Sequence, residues 1–148
     1  MKTHRIKKIM FSGLKTDTNN ENEKNEETAK IPTLWDDYVE KNIYGKTLNK
    51  SKEPYLYGVY TDYESDVNGN YSVSVAIEVT KNKNAIVVEN QKFLVFKNKG
   101  ELPAIVLQTW EEIWSYFEDK PEYERAYTVD FEKYLDKDTI EIYIAIKD

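Results

Sequence analysis

Cysteine is absent from this chain of 148 residues, and histidine occurs once, at His4. The first absence excludes disulfide staples and thiolate nucleophiles. The second excludes an imidazole-built zinc cluster and any catalytic triad that turns on a histidine base. The 5 glycines form neither a phosphate-cradling loop nor a dinucleotide fingerprint. Apolar runs stay far short of the ~20 residues that span a bilayer, and the N-terminus lacks the apolar core of a signal peptide. Positive charge is in short supply too: 21 Lys+Arg against 27 Asp+Glu leave a net charge of −6, and the one basic cluster is the short run His4 to Lys8. A nucleic-acid backbone is repelled overall by such a chain. These exclusions predict a single cytoplasmic domain that uses no metal or cofactor, spans no membrane and makes no direct contact with nucleic acid. The glycosylation sequons at Asn49 and Asn70 read as chance matches in that setting.

Aromatic rings, by contrast, are plentiful, with 12 Tyr and 3 Trp. Along the chain, Ile6 to Leu14 reads as a strand, and residues 16–30 (TDTNNENEKNEETAK) offer almost nothing to bury, which predicts a polar mobile loop. From Ile31 the apolar positions Leu34, Trp35, Tyr38, Val39 and Ile43 recur at helical spacing, with Pro32 in the first turn. Residues 55–63 and 71–79 read as strands joined across SDVNGN, where Asn68-Gly69 predicts a tight hairpin turn. The same segment resembles a calcium loop from Glu64, but Val75 stands where the bidentate glutamate belongs, so a hairpin is the better reading. The order then restarts. A strand over Val87–Phe96 leads into a helix after Pro103 with Val106, Trp110, Ile113, Trp114 and Phe117 on one stripe, followed by strands over Arg125–Lys133 and Thr139–Lys147.

Letters repeat as well as elements. TLWDDYVE (33–40) resembles TWEEIWSYFE (109–118), YTDYE (60–64) resembles YTVDFE (127–132), and VAI (75–77) resembles IAI (144–146), at spacings of about 70 residues. Two β-α-β-β units predict an α+β fold in which duplicated units form one curved antiparallel sheet, with two helices on one face and a groove where the halves meet.

The IPTLWDDY helix start, GVYTDYES before a hairpin, FLVFKNKGELP leading into a Trp-bearing helix, and the closing YTVDFEKY…IEIYIAIK resemble the GyrI-like effector-binding domain, and within it the stand-alone integron-cassette type. The resemblance covers nearly the whole chain apart from the polar loop, with no DNA-binding helices before or after it. It implies a protein that binds a lipophilic, often cationic small molecule between its halves through aromatic rings and a buried glutamate, and that works beside a transcription regulator. By the F-E-x-Y strand motif that glutamate falls on Glu132 of FEKY. Some GyrI-like proteins hydrolyse strained electrophilic compounds, which makes Glu132 as general acid or base, with Tyr127 or Tyr143, the enzyme alternative.

Strand parity offers a test independent of the family. Ile140, Ile142, Ile144 and Ile146 share one face of the last strand, leaving Glu141, Tyr143 and Ala145 on the other. Val73, Val75 and Ile77 fall with the helices, and Ser74 and Ala76 fall opposite. Assigning Val129 and Phe131 to the helix side as well predicts that Glu132 and Tyr143 look into one concavity, with Ala76 and Ala145 leaving room for a ligand. Asp130, on the same face as Glu132, reads as a solvated strand acid. Tyr60 and Tyr127 are expected at matching strand starts, Trp110 at the groove edge, and Trp35 beside it, with Ile113 and Phe117 in the core. A carboxylate in a partly apolar pocket is costly unless paired, so a ligand cation recovers the missing Coulomb term, and aromatic faces add about 0.5–2 kcal/mol each.

Overall fold

The computed structural model describes residues 1–52, 55–81 and 83–148. In chain order the elements are β1 (Lys2–Asn19), α1 (Asn20–Glu23), α2 (Ile31–Glu40), α3 (Ile43–Lys46), β2 (Leu56–Thr61), β3 (Asn70–Val79), β4 (Ile86–Lys99), α4 (Ala104–Glu118), β5 (Arg125–Asp136) and β6 (Thr139–Ile146). The single-turn helices α1 and α3 aside, this is β-α-β-β twice. Every strand pairing is antiparallel, in the order β1-β3-β2-β5-β6-β4, and β4 returns to pair with β1, so the curvature of the sheet runs to closure.

The order of strands shows the duplication directly. Each unit contributes three neighbouring strands, and the units meet at two seams, β2 on β5 and β1 on β4, where equivalent strands lie side by side. Taking Val75 and Ile144 as equivalent, as the VAI and IAI match requires, their ladder partners Gly58 and Asp130 are equivalent, and two residues on so are Tyr60 and Glu132. The expected correspondence of Tyr60 with Tyr127 is therefore corrected. Arg125 lies opposite Ile146 and Asp130 opposite Ile144, so β5 carries extra residues in a bulge there, and Tyr127 sits in it at φ 53°.

The sheet has an apolar layer on both faces. Helices α2 and α4 cover one, where Leu34, Tyr38, Ile105 and Ile113 pack on Val73, Val75, Leu94, Phe96 and the isoleucines of β6. The other layer, including Phe11, Tyr57, Val59, Phe93, Val95 and Phe131, has no helical member, yet these rings and branched chains are fully enclosed. Only the sheet itself can enclose them, which identifies that layer as the interior of the closed sheet.

Two local expectations change. The stretch 16–30 is strand through Asn19, with Thr18 buried, and then a helical turn. Glu23 accepts from the Lys30 N–H at 2.9 Å, the Ile31 N–H at 3.1 Å and the Thr18 hydroxyl at 2.6 Å, capping α2 from a distance because Lys30 at the N-cap supplies no side-chain bond. The β2–β3 hairpin across SDVNGN is formed, but not through a positive-φ turn at Asn68-Gly69: β2 ends at Thr61, β3 starts at Asn70, and neither Asn68 nor Gly69 has positive φ. Instead the Asp66 side chain accepts the Asn68 N–H at 2.9 Å, and the Asp66 carbonyl accepts the Gly69 N–H at 3.1 Å, building a wider loop.

Candidate functional site

A cavity of about 490 Å³ lies on the helix-covered face, between α2 and α4 and above β2, β3 and β5. Tyr60, Glu132 and Tyr134 form its floor, Trp35, Pro32 and Ile31 one wall, Trp110, Trp114, Val106 and Leu107 another, and Asn20, Glu23, Asp66 and Val67 its rim. Rings meet edge to face around it, with Tyr60 against Trp110 and Trp35 against Tyr134 both at 5.3 Å between centroids.

Glu132 is the acid at the bottom, 3% exposed. Its Oε2 accepts the Trp110 indole N–H at 2.7 Å and the Tyr60 hydroxyl at 2.8 Å, and its Oε1 accepts the Tyr134 hydroxyl at 2.8 Å. All three donors are neutral. Burial pushes the carboxyl above its ordinary range and the three hydrogen bonds pull it back, with burial the larger effect. The same burial, beside the carboxylate, holds the Tyr60 and Tyr134 phenols far above theirs, so both remain donors. Gly58 makes room for this arrangement. It lies directly across the ladder from Glu132, and a Cβ added there would stand 2.6 Å from Oε1.

Asp130, one pleat away on the same face, is not a solvated acid. It is fully buried, its Oδ2 receives the Arg125 guanidinium at 2.7 Å and the Tyr63 hydroxyl, and its Oδ1 accepts the Ala145 N–H at 2.8 Å. Arg125 is the basic residue of the lining, and its charge is taken up by Asp130. Among the described residues Glu132 has no such counter-ion. With Glu23 and Asp66 at the rim, the cavity is anionic in balance.

Of the residues singled out from sequence, Glu132, Tyr60, Trp110 and Trp35 converge here. Tyr143, Ala76 and Ala145 do not: they lie inside the closed sheet, where Tyr143 stacks on Phe131 at 4.5 Å and both alanines are fully enclosed. The parity of β5 was sound but its assignment to a face was inverted. Glu132 pairs with Ile142 and Phe131 with Tyr143, so Glu132 shares the helix side with the isoleucines. An apolar pair such as Val129 and Phe131 identifies the helix side only when the opposite face meets water, and here that face is an interior. Tyr127 lies outside the cavity, in a separate groove with Phe117 and Tyr123. Tyr134 was missed although it is two residues beyond Glu132 in FEKY and so on its face. Gly58 in YLYGVY carried the usual signal of a strand glycine, close approach by a neighbour. Nothing local marks Tyr71, Tyr63 or Arg125, which also line the cavity.

Residues 4–146 match the model of the Cass2 family, described as integron-associated effector binding protein. The chain belongs to this family. Among solved structures, the Cass2 integron cassette protein from the mobile metagenome of Vibrio cholerae superposes with a TM-score of 0.80 at 33% identity, covering 99% of this chain and 95% of that one. YobU of Bacillus subtilis (strain 168), whose name carries a provisional transcriptional-regulator assignment, is 31% identical over 93% of this chain and 91% of its own. The fold is shared also with SAV2435, solved bound to tetraphenylphosphonium, at a TM-score of 0.73 and 20% identity over 99% of this chain and 93% of that one. Family membership accounts for the paired β-α-β-β units and makes a small-molecule effector the general expectation.

Proposed function

We propose that this Cass2-family protein binds a lipophilic, cationic small molecule in the cavity between α2 and α4, with Glu132 selecting for positive charge. One observation carries the reading: a buried carboxylate, held by three neutral donors and with no counter-ion among the described residues, forms the floor of an aromatic cavity. Anchored from below, Glu132 cannot swing away to water, and an ammonium or phosphonium above it recovers the electrostatic energy that burial denies. The Trp110, Trp35, Tyr60 and Tyr134 rings supply apolar area and quadrupoles for the rest of the molecule. The tetraphenylphosphonium complex of SAV2435 supports this ligand class. The regulator assignment in the name of YobU supports a role in transcription regulation, with the bound molecule as effector.

Titration with tetraphenylphosphonium, followed by tryptophan fluorescence, tests the reading, since Trp35, Trp110 and Trp114 all line the cavity. Saturable quenching by the cation, with much weaker quenching by a neutral aromatic of the same size, is the expected result. Equal response to both would remove the charge selection. Recovery of a chemically altered ligand would move Glu132 from binding to general acid or base.

A further inference from the structure

The cavity carries more negative charge than one monovalent cation balances. Besides Glu132 on the floor it is lined by Glu23 and Asp66 at the rim, and by no lysine among the described residues. Glu23 is half-buried and fixed by neutral donors only, the Lys30 and Ile31 N–H groups and the Thr18 hydroxyl. Asp66 is exposed and accepts the Asn68 N–H at 2.9 Å. Neither acid has an ion pair among the described residues. Asn20 ties their two segments together: its amide nitrogen donates to the Val67 carbonyl at 3.0 Å, and its amide oxygen accepts the Tyr71 hydroxyl at 3.0 Å. The ring of Tyr71 spans from this rim toward the floor, 5.5 Å from the Tyr60 ring whose hydroxyl meets Glu132. Burial, and then the charges of Glu23 and Glu132, hold the Tyr71 phenol above its ordinary range, so both carboxylates act on one side chain of the cavity wall.

We propose that Glu23 and Asp66 form a second cation subsite, so that the preferred ligand is a rigid aromatic dication with one charge over Glu132 and the other at the rim. This rests on the reading of the cavity as a cation site. Spacing follows from the sheet. Glu132 on β5 and Tyr71 on β3 have β2 between them, two strand spacings or about 10 Å, and a round cavity of 490 Å³ is also about 10 Å across. The two charges do unequal work. Glu132 acts across a water-poor floor, whereas the rim acids act through solvent, so the second charge adds a smaller share that salt screens. A rigid spacer keeps that share from being spent on ordering a flexible chain.

Two matched pairs of probes test this by calorimetric titration at low salt. The first is 4,4′-bis(trimethylammonio)biphenyl against its isostere with one trimethylammonio group replaced by tert-butyl, which keeps the shape and removes one charge. The second is the same pair built on a single benzene ring, where the charges stand too close to reach floor and rim together. The biphenyl dication should bind about tenfold tighter than its monocation, of which a factor of about two is the statistical gain of having two equivalent ends, and added salt should shrink the ratio. The benzene pair should show the statistical factor alone. Asp66→Asn keeps an acceptor for the Asn68 N–H and Glu23→Gln one for the start of α2; each should lower the biphenyl ratio, and the double variant should bring it to about two. If Glu23→Gln does not melt cooperatively, Asp66→Asn and the benzene pair decide. A wild-type biphenyl ratio of about two, a ratio unmoved by the variants, or an equal gain for the short dication, as general attraction to a chain of net charge −6 would give, would each overturn the proposal while leaving cation binding standing. Failure of all the probes to bind, or a biphenyl monocation affinity insensitive to Glu132→Gln, would instead remove the cation site on which it rests.

Discussion

Glu132→Gln isolates the charge at the bottom of the cavity with little change in shape. The hydrogen bonds dictate how glutamine must sit. Trp110 and Tyr60 both point at Oε2, and an indole N–H can only donate, so the amide oxygen takes the Oε2 position and the amide nitrogen faces Tyr134, whose hydroxyl can turn to accept. The side chain stays in place and the negative charge is gone. A unit charge at about 4–5 Å in an effective dielectric near 20 is worth roughly 3–4 kcal/mol before the ligand cation's own desolvation is subtracted. A net loss of about 1.5–3 kcal/mol, roughly ten- to a hundredfold in Kd, is expected for tetraphenylphosphonium, and little for a neutral aromatic of equal size.

The proton provides a second readout of the same substitution. Burial raises the Glu132 carboxyl above its ordinary value of 4.5, and the cation binds the ionised form, so cation affinity should rise with pH through the raised value, and binding below it should release a proton. Stability runs the other way. Above pH 4.5 the unfolded chain loses this proton first, so the contribution of Glu132 to stability is whole at lower pH and is lost as pH climbs through the folded-state value. Glu132→Gln should flatten both dependences. Calorimetric titrations of both proteins with both ligands, at two pH values and in two buffers of different ionisation heat, measure affinity and proton release together. Equal losses for cation and neutral ligand, or an unchanged proton release in the variant, would refute the argument.

Gly58→Ala should push the carboxylate off the Tyr134 hydroxyl, because the new Cβ falls 2.6 Å from Oε1; cation affinity should drop about tenfold with a change in Tm of about 2–4 °C, and an unchanged titration would show that the notch is not needed. Gly13→Ala is a harsher case, since its Cβ would meet the Val75 carbonyl oxygen at 1.8 Å in the β1–β3 ladder; loss of the cooperative melt is expected, and a normal melt would contradict the close approach of those strands. Asp130→Asn strands the buried Arg125 guanidinium and should cost about 3–5 kcal/mol in urea unfolding; a loss below about 1 kcal/mol would mean that Arg125 finds another partner. Ala76→Leu or Ala145→Leu overpacks the interior of the sheet and should cost about 1–3 kcal/mol while leaving cation affinity unchanged; altered affinity at full stability would place these alanines in the ligand site after all.

Local chemistry in the chain was enough to specify the β-α-β-β repeat, because each element announces itself by a period: two for Ile140, Ile142, Ile144 and Ile146, and 3.6 for Trp110, Ile113, Trp114 and Phe117. It was enough also to specify which residues of β5 travel together, whereas Glu132 was singled out by the F-E-x-Y motif of the family that the chain resembles. What a period does not carry is the direction of a face. In an open sheet the apolar side of each strand identifies the packed side, but closure of β4 onto β1 creates an interior that is as apolar as the layer under the helices. Phe131 therefore turned inward to Tyr143, and Glu132 turned outward to Trp110, against the assignment that hydrophobicity alone suggests. The Arg125–Asp130 pair was likewise beyond reach. Residues 125 and 130 stand at odd separation and should point to opposite faces, and only the bulge between them brings guanidinium and carboxylate together. Face and register depend on how many strands close the sheet and where a strand gains residues, and those are properties of the assembled chain that no single segment contains.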